Sequence, residues 1–505
     1  MSSSGSTSYA STEALSIPEV ATLIIGSGDL SRADLANLQR VCRYMCEIAT
    51  PLLWKNATAA GLLALIKSAI TFCYNGRADN IFLDAEDAGD QNFERFHLYG
   101  QYIENLEIYD QESYRCYSLD GWHILEAELR ARGRPLIPNL SALRFLNTSS
   151  SHGIDESRWI QIFAHPGLKE VSLMPNPPTP AGRIPFPVAS LILEALVRYC
   201  PDIQILQLAP NDDQHYPATL HRKLFNVPLF RAALECQPPR PWYQAAQVLT
   251  RLQHLTISEG WLYPNSFQTL GSFPELESLA IVPGPLEGFD YEPDTNLVLL
   301  SGSFSKLINL SILGLEDWTI GTILEIQGLI RQITTMKLEF SFNGPHGDLG
   351  DHYCGLEKIF KGLRGASFLQ ELHISFPFEL EEEGRPAEVY SMMEEMGLHP
   401  LLTTISLDGI RIDKEQRRTC DAIRGLSPIW PNARTLSMPS QHASLRDLVD
   451  FARLPSLRYL TVRLNLKYPY IPANSGFKAA PLKVLMSSGP VRLSTTYKDL
   501  CLSAR

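Results

Sequence analysis

The residues best equipped for chemistry sit in the glycine-rich run GPHGDLGDHYCG, which gathers His346, Asp348, Asp351, His352 and Cys354. Imidazole, carboxylate and thiolate are the usual ligands of transition metals. Their spacing here follows no established ligand pattern, and the glycines read as a turn-rich loop. Cys42 and Cys46 lie one helical turn apart. No second ligand pair is near them, so they read as small core residues. Gly26-Ser27-Gly28 lacks the later glycine and lysine of a phosphate loop. There is no G-x-S-x-G elbow and no H-E-x-x-H. The sequence therefore gives no catalytic residue, no metal site and no cofactor site, and the expectation is a chain that binds rather than reacts.

Composition sets the surroundings. The chain has 505 residues, a hydrophobic content of 45% and a formal net charge of −11. That is an ordinary globular composition, long enough for several units or one repeat array. An acidic chain argues against nucleic acid and against an anionic membrane surface as partners. Nine cysteines are scattered without a C-x-x-C. They read as reduced thiols, and the expected location is the cytoplasm, the nucleus or both. Residues 1–13 have neither a basic start nor an apolar centre and read as a disordered tail, not a signal peptide. The most membrane-like run, Ala57 to Ile70, is broken by Lys67. It is shorter than the roughly 20 apolar residues a span requires.

The elements begin at Leu15-Ser16-Ile17-Pro18. Pro18 suits a first helical turn. Val20, Leu23 and Ile24 then fall at helical spacing, and Gly26 and Gly28 end the piece. Ser31 is a good N-cap with Asp34 in the first turn. Leu35, Leu38, Val41 and Cys42 follow the helical rhythm. A third helix carries Met45, Ile48 and Ala49, closes at Pro51, and precedes Leu52-Leu53-Trp54. About 40 residues in three helices bury too little surface to be comfortable alone. Ile17-Pro18-Glu19, then Asp34-Leu35-x-x-Leu38-x-x-Val41-Cys42-Arg43-Tyr44, then Pro51-Leu52-Leu53-Trp54 resembles an F-box. Tyr44 stands where that family usually has Trp, and Gly26 and Gly28 interrupt its first helix. The resemblance implies that Leu15, Ile17, Pro18, Val20, Leu23, Ile24, Leu35, Leu38, Val41, Leu52, Leu53 and Trp54 form or support a surface for a Skp-family adaptor, and through it a cullin.

Residues 57–76 read as one buried helix, and 57–100 as a helical linker or cap. From about residue 100 a phrase recurs: apolar-x-x-apolar-x-apolar. Its twelve copies run from Ile103/Leu106/Ile108 to Leu457/Leu460/Val462, with a mean spacing of about 32 residues. The last two apolar positions alternate with polar ones, as on a strand with one buried face. Pro138, Pro166, Pro201, Pro274, Pro431 and Pro455 precede copies and stop the helices before them. Amphipathic helices are expected over Val188–Tyr199, Thr322–Ile333, Leu356–Leu363 and Leu445–Leu454. Such units bury their apolar faces by stacking. They resemble leucine-rich repeats, with a longer period and mostly without that family's asparagine.

The expected fold class is α/β: a helical F-box-like module over residues 14–56, the linker, an irregular leucine-rich-repeat horseshoe over 101–490 with its curved parallel sheet inside and helices outside, and a tail over 491–505. Pro175–Pro187, Pro238–Trp242 and Glu379–Glu383 read as loops. Two functions remain open. In one, the chain is the substrate-recognition subunit of a Skp–cullin–F-box ubiquitin ligase, holding a protein substrate on its repeats. In the other, it is a repeat scaffold that binds proteins without a ligase.

Overall fold

The computed structural model describes residues 17–27, 30–74, 77–84, 92–109, 117–147, 154–173, 184, 186–210, 242–259, 262, 266–283, 299–300, 302–341, 349–376, 395–409, 426–466 and 482–493. The disordered tail expected over 1–13, Leu15, and most of the three proline-rich or acidic loops lie outside them. The chain divides into two compact units, Met1–Leu249 and Thr250–Arg505.

Unit 1 opens with three helices: α1 Pro18–Ser27, α2 Arg32–Leu38 and α3 Arg43–Lys55. Ser31 caps α2 as its residue type dictates. Its hydroxyl accepts from the Asp34 N–H at 3.2 Å, and the Asp34 carboxylate accepts from the Ser31 N–H at 3.0 Å. The Ser31 hydroxyl, then the Ser31 amide, hold the Asp34 carboxyl below the usual carboxylate range. The third helix does not close at Pro51; it runs on to Lys55 with Pro51 inside it. An interior proline costs about 3 kcal/mol. Packing outweighs that cost: Leu52 lies against the core of Ala21, Ile25 and Ile48, and Trp54 stacks on Tyr99 at 4.7 Å. Cys42 is not a core residue. It is exposed and caps α3, its Sγ accepting from the Met45 N–H at 3.5 Å. Cys46 is half-buried.

No single helix spans 57–76. Strand β1, Asn56–Thr58, follows α3 without a linker, and Ala59–Leu63 makes one short helix, α4. Ala69–Tyr74 is strand β2, antiparallel to β3, Arg77–Leu83. The reason is side-chain type: Ile70, Thr71, Phe72 and Tyr74 are β-branched or aromatic and favour a pleated surface. The apolar count alone suggested a buried helix, yet Ile70 and Phe72 are exposed. The segment 57–100 is therefore the start of the sheet and a hairpin, with one helix, α5 Glu94–Gly100, near its end. Strand β4 is Asn105–Ile108, and β5, Ser118–Asp120, joins β3 in parallel.

The remaining strands of unit 1 are β6 Ala142–Phe145, β7 Glu170–Ser172 and β8 Ile205–Gln207. Helices α6 Trp122–Arg132, α7 Ile154–Phe163 and α8 Phe186–Tyr199 precede them in turn, and α9 Trp242–Ala246 follows. Pairing is parallel throughout β1-β4-β6-β7-β8, and Ala57, Leu106, Leu143, Val171 and Leu206 stand side by side. Behind the sheet Trp159, fully buried, meets Trp122 edge-on at 5.0 Å and stacks on Phe163 at 5.7 Å. These rings carry much of the buried apolar area that a short strand cannot supply.

Unit 2 repeats the plan. Its strands are β9 His254–Ser258, β10 Ser278–Val282, β11 Asn309–Leu315, β12 Thr335–Phe340, β13 Glu371–Ser375, β14 Thr404–Asp408, β15 Thr435–Ala443, β16 Tyr459–Leu466 and β17 Val484–Ser487, with β18 Arg492–Leu493 beside the end of β16. Consecutive strands from β9 to β17 pair in parallel, so the middle apolar residue of each phrase forms one row from Leu255 to Leu485. Helices α10 Ser266–Gly271, α11 Asp317–Leu324, α12 Gln327–Ile330, α13 Leu349–Leu363 and α14 Leu445–Phe451 lie in the connections. The helix expected over Thr322–Ile333 is thus two shorter ones, and the glycine-rich run from Gly350 to Gly355 is helical rather than a loop.

The middle apolar residue of every copy of the repeat phrase falls on a strand, and each named proline begins the turn before its strand. Each unit is an α/β solenoid of leucine-rich-repeat type: parallel strands on one side and helical returns on the other, with a ladder of aliphatic side chains between. The phrase did not announce β1, where Ala57 holds the ladder position, or β17.

Two stability predictions arise here. Gly409 has φ of +70°, and a Cβ there would lie 2.6 Å from the Phe376 carbonyl oxygen. Gly409→Ala is expected to lower stability by about 1–3 kcal/mol, read as a shifted urea midpoint. His97, His165 and His399 have lowered pKa values, in each case first because burial disfavours the imidazolium. The unfolded chain then binds these protons more readily than the folded one. Stability is full above the ordinary value of 6.5 and falls as pH drops through it towards the lowered folded values. A melting series from pH 7.5 to pH 5.5, about one unit either side of the ordinary value, should show a falling midpoint, and a flat one would contradict this.

Candidate protein-binding surface

Helix α1 carries more apolar side chains than the other described residues cover. Ala21 and Ile25, one turn apart, point into the three-helix core with Ile48, and Leu35, Leu38, Tyr44, Met45 and Leu52 pack around them. Other aliphatic side chains of the module face outwards: Ile17 is 48% exposed, Leu23 69%, Ile24 48%, and Val41, before α3, 68%. Each of these side chains forgoes part of the roughly 1.5–3 kcal/mol that full burial would give. Concentrated apolar exposure on one small module makes it the candidate interaction site among the described residues.

The twelve residues of the expected adaptor surface divide accordingly. Ile17, Pro18, Leu23, Ile24 and Val41 are exposed, while Val20, Leu35, Leu38, Leu52, Leu53 and Trp54 are half-buried. Leu35, Leu38 and Leu52 support the module core, and Trp54 is held against α5 by Tyr99. Leu15 lies outside the described residues. Sequence reasoning missed Leu30, which is also exposed, and Tyr99, whose role depends on a contact between distant segments.

The junction behind this surface is stiff. Lys55 and Glu104 form an ion pair at 3.0 Å, the Glu104 N–H donates to the Lys55 carbonyl at 3.0 Å, and Asn105 Nδ2 donates to Asn56 Oδ1 at 2.6 Å. The ion pair itself is half-exposed and adds little. The β1–β4 pairing and the Trp54–Tyr99 stack do most of the fixing. Helix α3, whose Ile48 and Leu52 pack against the inner side of α1, runs directly into the first strand of the repeat sheet.

Elsewhere the chemistry is quiet. His346 and Asp348 lie outside the described residues, and Asp351, His352 and Cys354 fall on α13. No group of three His, Cys, Asp or Glu side chains converges among the described residues. Burial pushes the Cys200 thiol up to about 12, which keeps it an unreactive hydrophobe. No described helix is long and apolar enough to cross a membrane.

No family model and no curated protein matches the chain. Among solved structures it is similar to an internalin, InlF, from Listeria monocytogenes str. 4b F2365: 10% identity over 69% of this chain and 81% of that one, at a TM-score of 0.29. It is also similar to Listeria monocytogenes InlP, with 16% identity over 47% of this chain and 56% of that one, at a TM-score of 0.24. Overlaps of that quality decide nothing about function, and the repeat architecture stands on the strand register itself.

Proposed function

We propose that the chain is the substrate-recognition subunit of a Skp–cullin–F-box ubiquitin ligase, acting in the cytoplasm or nucleus. The observation that carries the reading is the solvent-facing aliphatic set Ile17, Leu23, Ile24 and Val41, on a helical module whose sequence resembles an F-box. A Skp-family adaptor covers that set and links the chain to a cullin. The repeat units hold a protein substrate. The mechanism is proximity: a substrate lysine held near the ubiquitin-charged enzyme experiences a raised effective concentration, and the receptor makes or breaks no bond. The linkerless passage from α3 into β1 suits that task, because a fixed geometry is what proximity requires.

The test is affinity purification of the tagged full chain from cells. Co-purification of both a Skp-family adaptor and a cullin supports the reading. Recovery of protein partners with neither would leave a repeat scaffold that binds proteins without a ligase.

A further inference from the structure

The unit 2 sheet changes character at its last strands. Positions facing away from the core on the middle strands are mostly polar, such as Ser311, Lys337, Glu371 and Ser406. On β16 and β17 the same face carries Tyr459, Val484 and Met486, which are 45%, 38% and 57% exposed. Tyr459 and Val484 are register partners. A second change coincides with this one. The residue immediately before β15, β16 and β17 is Arg434, Arg458 and Lys483 in turn, whereas the corresponding positions of β9 to β14, Gln253 through Thr403, hold no cation.

Backbone bonds align these three residues. The Arg458 N–H donates to the Arg434 carbonyl at 2.8 Å, and the Lys483 N–H donates to the Arg458 carbonyl at 2.8 Å. Neighbours are therefore about one strand spacing, roughly 4.8 Å, apart. All three side chains are exposed, and none is paired with an acidic side chain among the described residues. A basic row beside an apolar strip is a local exception in a chain of net charge −11.

We propose that the end of this sheet, strands β15 to β17, binds an extended acidic segment of a protein partner. Its carboxylates lie along Arg434, Arg458 and Lys483, and its apolar side chains rest on Tyr459, Val484 and Met486. Charge decides between occupants: a second copy docked symmetrically through this same face would bring the cations against themselves, whereas an acidic segment complements them. The proposal borrows from the ligase reading only the name substrate for that partner, since the binding needs no adaptor.

The test uses the full chain and a fluorescein-labelled synthetic peptide of about ten residues with glutamate alternating with leucine or valine, followed by fluorescence anisotropy. Saturable binding is expected. It should weaken about tenfold in the triple variant Arg434→Ala/Arg458→Ala/Lys483→Ala and by a similar factor in Tyr459→Ser/Met486→Ser. A peptide with lysine in place of glutamate should not bind. Unchanged affinity in the triple variant overturns the proposal. So does full affinity in Tyr459→Ser/Met486→Ser, which would leave a bare anion patch, and so does concentration-dependent dimerisation abolished by the triple variant. Every substitution is at an exposed position, and a melting curve for each variant confirms its fold. Adaptor capture, scored in parallel, bears on the ligase reading alone, so the two can fail separately.

Discussion

Leu23→Asp combined with Val41→Asp is expected to abolish capture of a Skp-family adaptor while leaving the melting curve of the chain where it was. Both side chains are more than two-thirds exposed, so neither supports the module core. The core rests on Ala21, Ile25 and Ile48 instead. In a complex the two side chains would be buried, and losing one aliphatic contact of that size is worth about 1.5–3 kcal/mol. A carboxylate placed in a dry interface adds its own desolvation cost. The pair should therefore weaken binding by more than about a hundredfold, the equivalent of roughly 3 kcal/mol. Ala21→Asp is the contrasting variant: it strikes the buried side of the same helix and should lose binding by unfolding the module. A Leu23→Asp/Val41→Asp variant that melts normally and still captures adaptor would show that this face is not the contact.

Leu372→Ala carries the second large effect. Leu372 is fully buried and stands in register between Met336 and Ile405 in the aliphatic row of unit 2. The strands on both sides fix the backbone, so the cavity cannot collapse easily. The expected loss is about 2–5 kcal/mol, measured by urea unfolding. Leu372→Asp should prevent unit 2 from folding, because an unpaired buried charge has no compensation. Leu485 occupies the equivalent place on β17 but is 41% exposed, and Leu485→Ala should cost less than half as much as Leu372→Ala. Equal losses at the two positions would mean that the row does not end where β17 ends.

The ladder was legible in the sequence because its signal is local. Leu255-x-Ile257 or Leu372-x-Ile374 states the two-residue period of a strand, and the apolar residue three positions earlier closes the turn before it. Proline before the strand made the boundary legible as well. What escaped was set by distant contacts. Nothing near Pro51 announces that Leu52 and Trp54 will hold the helix together across it. The hairpin of β2 and β3 was hidden because AITFCY counts as apolar for a helix and as β-forming for a strand, and side-chain branching should have decided. Of the binding surface, the sequence indicated the module and its helices through Pro18, the Ser31–Asp34 cap and the Leu35/Leu38 spacing. It did not separate Ile25, which faces inwards, from Ile24, which faces out, since adjacent residues on an apolar-rich helix differ only by which neighbour arrives first. The basic row of Arg434, Arg458 and Lys483 became visible only once the strand register placed residues from three repeats side by side.

The most direct measurement is titration calorimetry of the purified full chain with a purified Skp-family adaptor, without cullin or substrate. A saturable one-to-one complex, with the negative heat-capacity change of apolar burial, is expected. No heat of binding at micromolar concentrations, together with separate elution of the two proteins on gel filtration, would contradict the claim that the outward-facing side chains of the first helix await an adaptor.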